Sequence, residues 1–284
     1  MRPLTLHLRT FDIGAPADTP EEYAALLADR VLESWDSGAD IVVFPEFSWM
    51  GLERFITGAD KITGVAEMFR HRIYQDLTIR LSRPDKAAVF GTVPFRTDEG
   101  ILVNRAPVMS EGRWLHQDKI HLTPWESSFT GGGPVHLWTF RGHRVAVVIC
   151  LDVEVPEISA ALRGSGIDLL LVPSATDNVL GVERISRCAD ARAVELGCHV
   201  GLCHLVGSAE SALVDENMGR LAVYSPSQST FLHHTRQDPG TILTDGFHLK
   251  SVILDMAALA ATRTLQGETD PSRLTAASVR VVTA

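Results

Sequence analysis

Several short apolar runs in the 284-residue chain stop abruptly on a polar or reactive residue. Ile41-Val42-Val43-Phe44 is followed by Pro45-Glu46, Val145-Ala146-Val147-Val148-Ile149 by Cys150, and Leu169-Leu170-Leu171-Val172 by Pro173-Ser174. Four or five apolar residues without polar alternation read as a strand buried on both faces. Each such run then delivers its last side chain to a rim or crevice.

Helical periodicity lies between these runs. In Thr19-Pro20-Glu21-Glu22, Thr19 suits the N-cap, Pro20 the first helical position, and Glu22 completes a capping box. Tyr23, Leu26, Leu27, Val31, Leu32 and Trp35 follow at helical spacing, and Gly38 ends the helix. Further helices are expected over 59–83, 156–163 and 182–196, with a short one after Asp255. Strands are expected over 3–9, 40–44, 87–94, 104–109, 135–140, 144–149, 168–172, 199–206, 221–224, 229–234 and 251–254. Strand–helix–strand alternation mixed with hairpin-like pairs predicts an α/β fold of two sheets with helices outside. No repeat or long linker interrupts it, so one domain over 1–284 is expected.

Composition excludes some functions. Asp plus Glu is 35 against 26 for Lys plus Arg, a net charge of −9, which argues against nucleic acid or an anionic membrane as the main partner. No apolar run approaches the roughly 18–20 residues of a membrane span. Leu4, Leu6 and Leu8 alternate with polar residues as in a strand, unlike a signal-peptide core, so a cytoplasmic location is expected. Cys150, Cys188, Cys198 and Cys203 form no CxxC pair, and extended spacing holds Cys198 and Cys203 roughly 17 Å apart. Reduced thiols follow in a cytosolic setting.

Three residues stand out chemically. Glu46 follows four buried residues, and partial desolvation would raise its pKa toward general-base work near neutrality. Lys119 is one of only four lysines, with Lys61, Lys86 and Lys250, against 22 arginines. Where Arg is the default cation, a Lys supplies a compact charge suited to a developing oxyanion. Cys150 closes a strand before a turn into a helix at Pro156, a setting like a nucleophile elbow, where the Leu151 N–H could help bind an oxyanion. Taken singly, each residue also fits a bland role: a solvated loop carboxylate, a surface lysine, a small buried hydrophobe. His116 and His121, five apart, match neither HExxH nor a paired helical metal site. Arg-containing loops near Trp49 and Arg54 hint at a carboxylate-bearing substrate.

The ordered set Glu46, Lys119, Cys150 resembles the nitrilase superfamily of carbon–nitrogen hydrolases, and the resemblance covers most of the chain. FPEF carries the glutamate, DKIHLTPWE the lysine and a second glutamate (Glu126), and VVICLDVEVPE the cysteine. DLLLVPSATDN and RCADARAVELGCHVGLCHLVG continue the match. The resemblance implies a four-layer α-β-β-α sandwich and an amidase-like enzyme that needs no metal or organic cofactor. In it Glu46 is the base, Cys150 the nucleophile, Lys119 and the Leu151 N–H the oxyanion donors, and Glu126 an orienting residue. It also implies a small-molecule amide substrate and a homodimer or higher homo-oligomer. Two neighbours of the cysteine depart from the common pattern: Leu151 stands where many members have Tyr, and Glu154 where many have Arg. Asp152 and Glu157 read as structural, one bonding turn backbone and the other favouring a helix N-terminus. Acyl transfer to an amine, nitrile hydrolysis, and a catalytically silent binding protein on the same fold stand as alternatives.

Overall fold

The computed structural model describes residues 2–211, 213–232 and 240–263. Its strands are β1 (Leu4–Arg9), β2 (Phe11–Asp12), β3 (Ile41–Phe44), β4 (Ala87–Phe90), β5 (Val93–Arg96), β6 (Leu102–Ser110) and β7 (Arg113–Asp118), then β8 (Leu137–Phe140), β9 (His143–Val147), β10 (Leu169–Ser174), β11 (His199–Ser208), β12 (Glu216–Asn217), β13 (Leu221–Tyr224) and β14 (Leu249–Leu254). The helices are α1 (Pro20–Asp36), α2 (Lys61–Met68), α3 (Tyr74–Arg80), α4 (Pro156–Leu162), α5 (Val179–Leu196) and α6 (Met256–Thr262).

The strands form two sheets. One runs β14-β1-β3-β4-β6-β5, with β7 paired to β6; the other runs β12-β11-β10-β9-β8, with β13 and β2 paired to β11. β1, β3 and β4 are parallel, as are β9, β10 and β11. Parallel neighbours need crossovers, which α1, α2–α3, α4 and α5 supply.

Unbroken apolar runs follow from this layering. In β3, Ile41 and Val43 join Leu6, Val147 and Leu171 between the sheets. Val42 and Phe44 face the other way, onto Leu27, Val31 and Trp35 of α1. On the second sheet's side, α5 buries Ile185, Ala189 and Ala193. The four-layer α-β-β-α sandwich is therefore present, with the C-terminal ends of β3, β9 and β10 at one rim. No helix among the described residues is long and apolar enough to cross a membrane.

Local chemistry sets several element ends. Thr19 caps α1 by accepting from the Glu22 N–H at 3.1 Å. The reciprocal half of the expected capping box is displaced by one residue: the Glu22 carboxylate takes the Asp18 N–H at 2.9 Å. The helix expected over 59–83 runs from Lys61 to Arg80, through a π turn at Phe69–Ile73 that the residue pattern does not announce. The strand expected over 87–94 is two strands, because the chain breaks at Gly91 and β5 folds back onto β6. β7 was not anticipated: its sequence RWLHQD lacks an apolar alternation, and its one fully buried side chain is the polar Gln117. The strand expected over 229–234 is a 3₁₀ turn at Ser229–Phe231, and positions 233–234 lie outside the described residues.

Gly91 matters for the rim. Its φ is +70°, and a Cβ there would stand 2.5 Å from the Pro45 carbonyl oxygen and 2.6 Å from Ser48 Oγ. Gly91→Ala therefore combines left-handed backbone strain with a clash against the turn that carries Glu46. The substitution is expected to lower the unfolding free energy by at least about 2 kcal/mol in urea denaturation. An unchanged midpoint would show that the turn is not held so closely.

Candidate active site

Glu46 lies two residues beyond β3. The turn holding it is locked by Phe47 N–H donating to Thr92 Oγ1 at 2.8 Å and Ser48 Oγ donating to the Pro45 carbonyl at 2.7 Å. Phe47 takes φ +58°. Cys150 lies just past β9 at the head of a 3₁₀ turn (Cys150–Glu154), with φ +47°. Left-handed backbone is uncommon for residues other than glycine and costs roughly 1–2 kcal/mol. Both bends turn the chain sharply at the rim, as the sequence suggested for the cysteine.

Lys119 directly follows β7, and its N–H donates to the Asn104 carbonyl at 2.9 Å. Asp152 ties the lysine segment to the cysteine turn. Its buried carboxylate accepts from the N–H groups of Ile120 (3.2 Å), His121 (2.7 Å) and Ile149 (3.3 Å). This is the structural role expected of Asp152. Glu157 sits in the first turn of α4, also as expected.

The side chains then converge. Lys119 Nζ lies 2.7 Å from Glu46 Oε1 and 2.6 Å from Glu126 Oε2. All three are 1% exposed. Asn104 Nδ2 donates to Glu46 Oε1 at 3.0 Å and to Glu126 Oε1 at 3.1 Å. Glu126 Oε2 also accepts from Thr123 N–H (2.9 Å) and Thr123 Oγ1 (3.0 Å), in a capping box at the turn Pro124–Glu126. Glu46 Oε2 accepts from the Ala175 N–H at 3.1 Å, and Cys150 Sγ lies 3.5 Å from the Ala175 carbonyl.

Burial pushes the Glu46 carboxyl up to about 7, and the Lys119 charge and its hydrogen bond hold it from going further. Burial, reinforced by the Glu46 charge, pushes the Cys150 thiol well above the usual thiol range. Burial alone would lower Lys119, but the charges of Glu46, Cys150 and Glu126 outweigh it and leave the ammonium raised. The resting site therefore holds a neutral thiol beside a carboxyl that ionises near neutrality, which suits transfer of the thiol proton to that carboxyl.

A cavity of ≈ 390 Å³ opens onto Cys150, lined also by Leu151, Glu154, Trp125, Thr176 and Val214. Leu151 and Glu154, the two departures from the common pattern, thus form its wall without closing it. Glu154 is paired with Arg184 of α5 at 2.8 Å.

Glu46, Lys119, Glu126 and Cys150 are brought together as the sequence indicated. Asn104, Thr123, Ala175 and Arg184 were not singled out, since a β-strand asparagine and a backbone amide leave no chemical mark in a single sequence. His121 bonds Asp152 at 3.1 Å, and His116 stands against His136 at 5.7 Å, away from the cavity. Arg54 does not reach the cavity; it donates to the carbonyls of Gly51, Ala15 and Ile13. The hint of a carboxylate-bearing substrate drawn from that loop falls with it. Cys198 and Cys203 are fully buried, and Cys188 lies half-buried on α5.

A family model described as carbon-nitrogen hydrolase matches residues 10–238. An (R)-stereoselective amidase of Pseudomonas sp. is 32% identical over 178 residues, 62% of this chain and 62% of that protein. A probable hydrolase of Bacillus subtilis (strain 168) is 26% identical over 222 residues, 74% of this chain but 42% of that protein. The aligned part thus spans less than two thirds of either relative. Among solved structures, a CN-hydrolase superfamily protein from Xanthomonas campestris with an arsenic adduct in its active site matches with a TM-score of 0.73 and 19% identity, over 99% of this chain and 100% of that one.

The electrostatics predict how Cys150 reacts with iodoacetamide. Below about pH 7 Glu46 is protonated and cannot accept the thiol proton. Alkylation of Cys150, followed by peptide mass spectrometry, is expected to rise about tenfold per pH unit up to that point and then level off. Glu46→Gln is expected to remove the limb. A rate climbing only above pH 9 in the wild type would contradict the coupling.

Proposed function

The chain belongs to the carbon–nitrogen hydrolase family, and from that premise we propose that it hydrolyses a small carboxamide to acid and ammonia through a thioester on Cys150. The observation that carries this reading is the buried Glu46–Lys119–Glu126 cluster set beside a neutral thiol at the floor of a ligand-sized cavity. An amidase among the relatives supports the same bond type.

The steps follow from the groups present. Glu46 takes the Cys150 proton as Sγ attacks the amide carbon. The carbonyl π pair moves onto oxygen, giving a tetrahedral oxyanion. Lys119 has three N–H donors and commits two to the carboxylates, leaving one for that oxygen. The Leu151 N–H, in the first turn of the 3₁₀ segment, supplies a second. Collapse breaks the C–N bond, and Glu46 returns its proton to the leaving nitrogen. Water then gives a proton to Glu46 and attacks the thioester. The C–S bond breaks, and the proton passes back to Cys150. Glu126 anchors Lys119 throughout.

The mouth narrows the substrate class. Arg184 is neutralised by Glu154. Asp177, Asp215 and Glu216 line the opening, and no cation is paired with them among the described residues. Negative potential at a cleft mouth concentrates cations and repels anions. Neutral or cationic amides therefore fit better than carboxylate-bearing ones.

Ammonia release from a panel of small amides tests the chemistry. Cys150→Ala is expected to abolish it, and Glu46→Gln to lower kcat by about 10²–10⁴-fold. Release that survives Cys150→Ala would overturn the reading. Within the panel, amides bearing an ammonium group are expected to exceed carboxylate-bearing isosteres in kcat/KM by about tenfold or more at low salt, the gap shrinking as salt is added. The reverse order would contradict the role given to the mouth.

A further inference from the structure

Asn104 occupies an unusual position in the cluster. It lies on β6, opposite Pro94 of the edge strand β5, and is fully buried. Its single amide nitrogen faces two carboxylates, 3.0 Å from Glu46 Oε1 and 3.1 Å from Glu126 Oε1. Its backbone carbonyl also accepts the Lys119 N–H. One residue thus touches both acids and the chain of the cation between them.

The amide's other end is informative. Asn104 Oδ1 is buried with no hydrogen-bond partner. An orphaned buried acceptor is unfavourable. The side chain could not relieve it by flipping, since the oxygen would then face two carboxylates. Asn104 is therefore held in place by what its nitrogen donates.

The two acids are not equally supplied. Glu126 accepts from Lys119, Thr123 N–H, Thr123 Oγ1 and Asn104. Glu46 accepts from Lys119, Asn104 and the Ala175 N–H. On Glu46, Asn104 shares Oε1 with the lysine, which leaves Oε2 on the Ala175 side, where Cys150 also sits. Without that donor, Lys119 alone would hold Oε1, and Glu126 competes for the same ammonium.

We propose that Asn104 is a positioning residue: by giving one amide hydrogen to each carboxylate, it turns Glu46 toward the Cys150 thiol and favours the ionised, proton-accepting form of Glu46. This rests on the reading of Glu46 as the base for Cys150. Asn104 itself touches neither the thiol nor the substrate cavity.

The test uses iodoacetamide as probe and reads the pH dependence of alkylation at Cys150 by peptide mass spectrometry. Two variants are compared with wild type: Asn104→Leu, which removes the donor at similar volume, and Asn104→Asp, which keeps the shape and replaces the donor by an acceptor. Loss of a hydrogen bond to a charged group is expected to move the limb upward by roughly 1–2 pH units in both. Rates above the limb should fall as well, because Glu46 loses its aim, and the KM for any amide that is turned over should hold. A purely structural role would lower the rate at every pH without moving the limb, and that result would overturn the proposal. So would variants that both fail to fold by near-ultraviolet circular dichroism, since Asn104 would then serve folding. The underlying reading fails separately, if the wild-type limb persists in Glu46→Gln.

Discussion

A lysine ammonium sealed between two carboxylates is the constraint around which this protein is arranged. Lys119, Glu46 and Glu126 are each 1% exposed. Burying charges costs several kcal/mol per ion even after relaxation, and removing one partner of a buried pair typically costs about 3–5 kcal/mol. Such a cluster survives only when its remaining hydrogen-bonding capacity is met. Asn104, the two donors of Thr123 and the Ala175 N–H meet that of the carboxylates here. These groups come from β6, the turn at Pro124 and the end of β10, so the cluster binds both sheets together at the rim.

The same burial sets the reactivity. A solvated cysteine ionises too little at neutral pH to be an efficient nucleophile, and enzymes often lower its pKa with a nearby cation. Cys150 is different: burial and the adjacent carboxylate hold it protonated at rest. Under the proposed mechanism the device is a matched acceptor instead, with Glu46 brought to about 7. In the proposed mechanism, proton transfer and attack are then coupled, and the thiol stays protonated until an electrophile fills the cavity. Left-handed backbone at Phe47 and Cys150 marks the two sharp bends from which Glu46 and Cys150 approach each other at the rim.

Much of the architecture was legible because buried parallel strands have a strong signature. The runs at Ile41–Phe44 and Leu169–Val172 have apolar residues on both faces since each strand lies between a helix layer and the other sheet. Glu46 and Cys150 were found for the same reason, as the first reactive residues beyond such runs. β7 was missed because it pairs only with β6 and the one side chain it fully buries is a polar one, Gln117. The break at Gly91 was missed because Phe90 and Val93 are both apolar and only the backbone turns. Asn104 and Ala175 were invisible because their roles rest on three-dimensional approach: Asn104 is 58 residues from Glu46 in sequence and Ala175 is 129. The Arg54 loop misled, since its guanidinium closes backbone carbonyls and not a substrate site.

The central claim is covalent chemistry at one sulfur, and it can be observed directly. Wild-type protein turning over an amide is quenched in acid within milliseconds to seconds, and the Cys150 peptide is weighed. The account predicts a transient mass increase equal to the acyl group on Cys150, absent from Cys188, Cys198 and Cys203, and lost on treatment with hydroxylamine. Ammonia release with no acyl group on Cys150 at any time, while a second amide's acyl group accumulates elsewhere on the chain, would contradict it.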